Sequence, residues 1–115
     1  MIRTKESMET EVRPGMRGGA GAVTVQHCFK PEEMTARIRL CARLTLPPGA
    51  SIGTHQHDQE DEVYVILGGE GLLDDGHTRT PVRFGDAVLT GKGDRHALFN
   101  TGNGPLEVLA MILLY

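Results

Sequence analysis

The sequence has little of what marks several common protein classes. It contains only two cysteines, Cys28 and Cys41, and no CxxC pair. Such thiols suit a reducing cytoplasm, where we expect them half-buried and free, with a disulfide between them as the open alternative. No apolar run approaches the roughly 20 residues of a membrane span, and the charged start of the chain lacks a signal-peptide core. The sequence therefore predicts a cytoplasmic protein without a membrane partner.

A strongly basic surface is also missing. The chain has 12 Lys and Arg residues against 15 Asp and Glu residues, which gives a formal net charge of −3. Arg37, Arg39 and Arg43 form a basic group, but their even spacing is that of one strand face. We interpret them as a solvated strand face and predict no nucleic-acid partner.

Glycine, by contrast, is abundant, with 15 residues scattered between short apolar runs. Frequent turns of this kind favour β structure, and the length suits one domain with its own core. We expect residues 1–12 to form a flexible N-terminal arm and residues 13–115 to form a single domain. The Gly-rich stretch 14–21 lacks the ending of a phosphate loop, so we interpret it as a flexible lead-in to a strand.

One segment alternates regularly enough to predict its structure. Over residues 36–46, apolar side chains occupy every second position from Ile38 to Leu46, which is typical of a half-buried antiparallel strand. Other short apolar runs are separated by turn signals at intervals of about 8–12 residues. An example is the stretch 74–77, where Asp and Gly tolerate the backbone of a hairpin turn. The pattern predicts an all-β sandwich or barrel.

Two histidines and a glutamate carry the strongest chemical signal. His55 and His57 flank one residue, so on a strand they share a face with Cα atoms about 6.6 Å apart. If the loop 58–61 closes a hairpin, Glu62 lies opposite His57 on that face. Two imidazoles and one carboxylate suit Zn, Mn, Fe, Ni or Cu better than Ca or Mg. An HxH pair also fits two solvated histidines, however, and strand spacing cannot bring His96 to the same point.

Two longer patterns resemble the motifs of the cupin family. The first motif is matched by Gly49, five residues, His55-Gln56-His57, four residues, Glu62, six residues and Gly69. The second motif is matched by Gly85, five residues, Gly91-Lys92-Gly93, two residues, His96, three residues and Asn100. Gly91 stands where the family motif has proline, and this departure predicts a looser turn before His96.

The resemblance implies a jelly-roll β-barrel with one divalent transition metal ion at its open end. The family's ligand positions are matched by His55, His57, Glu62 and His96. Glu60 is an alternative to Glu62 if the strand begins early, but only Glu62 keeps the six-residue spacing to Gly69. We expect Asn100 to make a hydrogen bond in the surroundings rather than to bind the metal.

Side chains in phase with the ligands are expected to line the pocket. These are Tyr64, Ile66 and Leu98, with Phe84, Phe99 and Met111 as further candidates. Glu62 and Tyr64 are the candidate catalytic residues, because each could move a proton. The sequence shows no group of arginines around the site, so we expect a mainly apolar pocket.

A shared fold does not choose between functions. Our first hypothesis is a metal-dependent enzyme of dioxygenase, decarboxylase or isomerase type that acts on a small organic molecule. The alternatives are a non-catalytic module that binds or senses a small molecule, and a barrel in which the metal is structural. Apolar residues on both faces of the segment 106–115 predict a homodimer, because a sandwich strand needs only one apolar face for its core. Small cupins commonly pair back to back, so the resemblance points the same way.

Overall fold

The computed structural model describes residues 1–115 and is built mainly from β-strands. The ten strands are β1 Glu9–Pro14, β2 Ala22–His27, β3 Ile38–Leu46, β4 Ser51–Gln56, β5 Glu60–Gly68, β6 Glu70–Asp74, β7 Arg79–Arg83, β8 Ala87–Thr90, β9 Arg95–Asn100 and β10 Leu106–Leu114. Three single turns of 3₁₀ helix complete the regular structure, at Lys5–Ser7, Met16–Gly18 and Pro31–Glu33. None of these helical turns has the length or apolar character needed to cross a membrane.

The strands form two antiparallel sheets. The larger sheet has six strands in the order β1-β2-β3-β10-β5-β8, and the smaller has four in the order β4-β9-β6-β7. Neighbouring strands are often distant in sequence: β10, for example, lies between β3 and β5. Long connections of this kind are typical of jelly rolls. The predicted all-β jelly-roll fold is confirmed.

The hydrophobic core is built by period-two burial along the strands. In β3 the buried side chains are Leu40, Ala42, Leu44 and Leu46, and the residues between them are partly exposed. Strand β10 pairs with β3 so that Val108 lies opposite Leu44, and both are buried. Opposed side chains on one face pack together, so the register joins the two strands into one core surface. The alternation predicted for this segment is confirmed.

Strand β10 is apolar on both faces, as the sequence suggested. Its inner side chains are buried, whereas Leu109 and Met111 on the outer face are half-buried and Leu113 is 41% exposed. The outer row continues through Val63 on β5 to Leu89 on β8, which is 71% exposed. The larger sheet therefore presents an apolar outer face that its own core does not use.

The N-terminal region is more regular than the sequence suggested. We expected a flexible arm over residues 1–12, but Glu9–Pro14 form strand β1 and pair along their whole length with β2. No residue of β1 is buried, so this strand has no apolar alternation that could reveal it. Backbone pairing with the sheet edge is what orders it.

The Gly-rich stretch is a structured connection and not the flexible lead-in that we expected. It joins β1 to β2 and folds back onto β4, where the Ala20 amide donates to the Ser51 hydroxyl at 2.8 Å. The Ser51 amide in turn donates to the Ala20 carbonyl at 2.9 Å. A Cβ atom on Gly53 would lie 2.1 Å from the Arg17 carbonyl oxygen. The glycine is therefore required for the close backbone approach between this connection and β4.

Candidate metal centre

The smaller sheet supplies the three histidines. His55 lies on β4, and His57 follows the last residue of that strand. Strand β9 pairs with β4 so that His96 is directly opposite His55. Opposed residues on an antiparallel pair share a face. Strand pairing therefore brings His96 to the HxH pair across a long sequence separation.

Glu62 comes from the other sheet. The hairpin that we expected across residues 58–61 is wrong, because β4 and β5 belong to different sheets. Glu62 lies on the buried face of β5 and approaches the histidines from the opposing side of the sandwich. The three-residue connection, residues 57–59, crosses between the sheets instead of turning within one. The predicted convergence of Glu62 with His55 and His57 is present, although the predicted route to it is not.

Four ligand atoms converge on one point inside the barrel. One ligand atom from each of His55, His57, Glu62 and His96 can be chosen so that all four lie within 4.8 Å of one another. The Glu62 Oε1 atom is 2.9 Å from Nε2 of both His57 and His96 and 3.7 Å from Nε2 of His55. The Nε2 atom of His96 lies 3.1 Å from that of His57 and 3.0 Å from that of His55. The group is able to hold a metal ion.

The second nitrogen of each imidazole has a partner outside this point. Nδ1 of His55 lies 2.7 Å from the Gly53 carbonyl oxygen, and Nδ1 of His57 lies 2.6 Å from the Glu60 carboxylate. Both partners only accept hydrogen bonds, so both Nδ1 atoms must donate. Nδ1 of His96 lies 2.8 Å from the Thr90 hydroxyl, which can also accept. The Nε2 atoms are thereby left with lone pairs directed at the centre.

Glu62 has the environment of a metal-bound carboxylate. Its Oε1 atom is buried and has no hydrogen-bond partner, and such an atom is costly unless a cation balances it. Burial raises the pKa of Glu62, but hydrogen bonds from the imidazoles in their protonated form lower it by more, so the pKa lies well below its ordinary value. An ionised oxygen facing three nitrogen lone pairs fits a divalent transition metal ion.

Glu60 supports the site without belonging to it. Strand β5 begins at Glu60, as the alternative assignment of Glu60 as a metal ligand required. The Glu60 carboxylate, however, accepts a hydrogen bond from Nδ1 of His57, the ring nitrogen that faces away from the centre. It also accepts two hydrogen bonds from Arg39, at 2.9 and 2.8 Å. The chain Arg39–Glu60–His57 therefore fixes the ring orientation and the tautomer of His57, as partners of metal-binding histidines commonly do.

Tyr64 forms part of the wall beside His96. Its ring stacks on the imidazole with 4.9 Å between centroids and 10° between planes. Together with Thr90, this stacking holds His96 although Gly91 stands where the family motif has proline. Burial raises the pKa of Tyr64 well above its ordinary value, and the nearby Glu62 carboxylate raises it further. Tyr64 therefore keeps its proton at neutral pH.

A cavity of about 100 Å³ opens above the histidines, and its mouth is not mainly apolar as we expected. Three arginines line it, Arg13, Arg17 and Arg39. Arg13 and Arg17 come from β1 and the Gly-rich connection, segments for which the sequence pattern indicated no role at the site. These two arginines reach the cavity because the Gly-rich connection packs against β4. No local pattern in the sequence indicates this packing.

Of the other predicted pocket residues, only Tyr64 lines this cavity. Ile66 and Leu98 are buried in the core, and Phe84 is 74% exposed at the surface. Phe99 and Met111 are half-buried and also lie away from the cavity. A larger groove of about 500 Å³ contains none of the four ligand residues. The site is therefore identified by its donor atoms and not by the size of the opening.

Two further side chains behave as the sequence suggested. Asn100 donates to the carbonyl oxygens of Leu46 and Gly104 at 2.8 and 2.9 Å, which makes it a turn residue. His77 is exposed in the turn between β6 and β7. Cys28 and Cys41 are free thiols.

Known proteins share both the sequence and the fold. The family model for the cupin domain matches residues 42–112. An oxalate-binding protein from Thermotoga maritima is 42% identical over 114 residues, which cover 99% of this chain and 94% of that protein. A solved structure of a predicted oxalate decarboxylase from Thermotoga maritima matches with a TM-score of 0.96 and 42% identity over 100% of both chains. The polyketide cyclase RemF from Streptomyces resistomycificus shares the fold, with a TM-score of 0.78 and 17% identity, over 97% of this chain and 78% of that one. The chain belongs to the cupin family.

Proposed function

We propose that this cupin binds a small dicarboxylate, oxalate or a close analogue, on a divalent metal ion held by His55, His57, Glu62 and His96. The observation that carries the proposal is the convergence of three imidazole nitrogens and an unpartnered carboxylate oxygen beside a cavity lined by three arginines. The metal, when bound, supplies a positive centre for a ligand oxygen. The name of the 42% identical oxalate-binding protein supports the same ligand class.

The size and charge of the cavity support a ligand of this kind. About 100 Å³ is far below the roughly 300–1,000 Å³ of pockets for drug-sized molecules. Only a ligand with a few heavy atoms fits this space, and the arginines at the mouth favour an anion.

Turnover is the second candidate function, and the related structure named as a predicted oxalate decarboxylase favours it. Decarboxylation breaks a C–C bond and requires a proton at the remaining carbon. Glu62 is directed at the metal position, so Tyr64, whose hydroxyl is the one hydroxyl at the cavity, is the proposed proton donor. Its raised pKa makes it a weak acid, and we therefore propose binding without rapid turnover as the main function.

Calorimetric titration tests the proposal. Protein loaded with Mn²⁺ and protein stripped with a chelator are each titrated with oxalate, and we expect heat of binding only from the loaded protein. The His57→Ala variant is the matched negative control, because it removes one ligand but leaves the arginines in place. Equal binding by stripped protein would contradict a metal-held ligand. Release of CO₂ from carboxyl-labelled oxalate at a steady rate would favour the enzyme instead.

We also propose that the protein is a homodimer. In it, the apolar outer face of the larger sheet of one protomer packs against the same face of its partner. Leu89 and Leu113 are exposed there, and Leu109 and Met111 are half-buried. Large apolar patches are rare on monomers, and two-fold pairing is the commonest way to cover them.

We further propose that the protein works in the cytoplasm without nucleic-acid or membrane partners. The two free thiols and the net charge of −3 support this proposal. Cell fractionation with a tagged chain tests it, and recovery in the membrane pellet would contradict it.

A further inference from the structure

The three arginines at the cavity mouth differ in what they already bind. Arg39 donates two hydrogen bonds to Glu60, and Arg13 is paired with Glu11. Arg17 forms no hydrogen bond or ion pair with the protein, although it lines the same cavity as the metal-binding side chains. Its guanidinium is therefore the one at the mouth that can bind an incoming anion without breaking an existing ion pair.

The backbone around Arg17 is held in an unfavourable conformation. Arg17 has φ +53°, in the left-handed region that side chains other than glycine rarely adopt. Close backbone contact with β4 keeps Arg17 in this conformation. A Cβ atom on Gly19 would lie 2.1 Å from the Ser51 carbonyl oxygen, and a Cβ atom on Gly53 would lie 2.1 Å from the Arg17 carbonyl oxygen. Strained residues persist when their surroundings fix them, and they cluster at ligand sites. Strand β4 also carries His55, so the backbone of Arg17 packs directly against a strand that supplies one of the four metal-binding side chains.

The charge of Arg17 acts inside the cavity, because Arg17 lines the same space as His55, His57 and Glu62. A negative ligand group in that space is stabilised by a nearby positive charge.

Charge balance explains why such a residue is needed. A divalent ion with three neutral imidazoles and one carboxylate keeps a single positive charge. One ligand carboxylate neutralises that charge, so a dicarboxylate brings one negative charge that the metal ion does not balance. A buried charge is costly unless it is paired.

We propose that Arg17 binds the second carboxylate of the ligand and thereby selects dicarboxylates over monocarboxylates. This inference rests on the proposed function, because it assumes that the first carboxylate lies on the metal. Arg17 is a specificity residue at the cavity mouth and does not hold the metal.

The test compares two ligands that differ in the second group. Protein loaded with Mn²⁺ is titrated calorimetrically with oxalate, a dianion, and with glycolate, in which a hydroxyl replaces the second carboxylate. Arg17→Gln removes the charge and keeps a long side chain, whereas Arg17→Lys keeps the charge without the forked geometry. Arg83→Ala, on the exposed strand β7, is the matched control. The metal content of every variant is measured by elemental analysis.

We expect Arg17→Gln to bind oxalate about 10–100-fold more weakly, the range for losing a charge-assisted hydrogen bond. Glycolate affinity and metal content should stay within twofold, Arg17→Lys should be intermediate, and Arg83→Ala should match the wild type. If the wild type binds oxalate and Arg17→Gln binds it equally well, the inference is overturned and the proposed function stands. Equal losses for both ligands, or loss of metal or of the fold in both Arg17 variants, would show a structural role and overturn it. If the loaded wild type binds neither ligand, the proposed function is overturned together with the inference.

Discussion

The Glu60 carboxylate accepts a 2.6 Å hydrogen bond from Nδ1 of His57, on the side of the ring away from the metal position. Arg39 donates two hydrogen bonds to the same carboxylate, one to each oxygen. His57 is therefore fixed in the tautomer whose Nε2 lone pair faces Glu62. The most direct predictions for this protein concern what happens when this arrangement is disturbed.

Glu60→Gln is expected to weaken metal binding by about 10–100-fold, the usual effect of losing a partner of a metal-binding histidine. Competition with a chromophoric chelator at pH 8 measures the affinity. Glu107→Gln is the matched control, because Glu107 also pairs with an arginine, Arg43 at 3.1 Å, but does so away from the site. Equal affinities for the two variants would contradict a positioning role for Glu60.

The same variant should change the pH dependence of metal binding. Burial lowers the pKa of His57, but Glu62 and Glu60 raise it by more. Because a proton on His57 competes with the metal ion, the raised pKa makes metal affinity begin to fall at a higher pH. Removing the Glu60 charge lowers that pKa. The pH below which the affinity begins to fall should therefore move downward in Glu60→Gln, even though the affinity at pH 8 is weaker. Dissociation constants measured from about pH 5 to 8 check this, and an upward movement would contradict it.

His57→Ala is expected to abolish stoichiometric metal binding. It removes a buried ligand whose Nε2 lies 2.9 Å from Glu62 Oε1 and leaves only His55, Glu62 and His96 to hold the ion. Elemental analysis of purified protein should fall from one ion per chain to a small fraction. His77→Ala, at an exposed turn, should keep the wild-type content. Unchanged stoichiometry in the His57 variant would refute the ligand assignment.

Removing the metal should lower the melting temperature without unfolding the protein at 25 °C. The core of 16 buried residues does not depend on the ion, but the stripped site leaves lone pairs and a carboxylate facing one another. Metal at 100 times its Kd stabilises by about 2.7 kcal/mol, which corresponds to roughly 10–20 °C for a domain of this size. Circular dichroism melts with and without chelator measure the shift. Loss of strand signal at 25 °C would indicate a structural metal instead.

Glutamate on the apolar outer face should dissociate the proposed dimer. Leu89→Glu and Leu113→Glu change side chains that are 71% and 41% exposed in the single chain, so the monomer should keep its fold. Phe84→Glu is the control, because Phe84 is 74% exposed but does not belong to that row. Light scattering should report twice 12.5 kDa for the wild type and the control, and 12.5 kDa for the two variants. A wild-type mass of one chain would contradict the dimer.

Local patterns in the sequence were sufficient for most of the strands, although not for β1, and for much of the site. Alternation over residues 36–46 predicted β3, which the structure places at Ile38–Leu46, because burial on one sheet face imposes a period of two. The HxH pair predicted two ligands on one face for the same reason. The two cupin-like motifs added Glu62 and His96, which spacing alone could not join to the pair, and the structure brings all four residues together.

Tertiary structure decided the features that depend on contacts between distant segments. Glu62 reaches the histidines across the two sheets and not through a hairpin, because β4 and β5 pair with other strands. Strand β1 has no buried residue, so no hydrophobic pattern in the sequence could reveal it. The position of Arg13 at the cavity could therefore not be predicted either. Arg17 lies in a Gly-rich stretch whose shape is set by backbone contact with β4. Hydrophobic periodicity records which face of a strand is buried, but it does not record which segment lies opposite, and such contacts between distant segments bring Arg13 and Arg17 to the cavity.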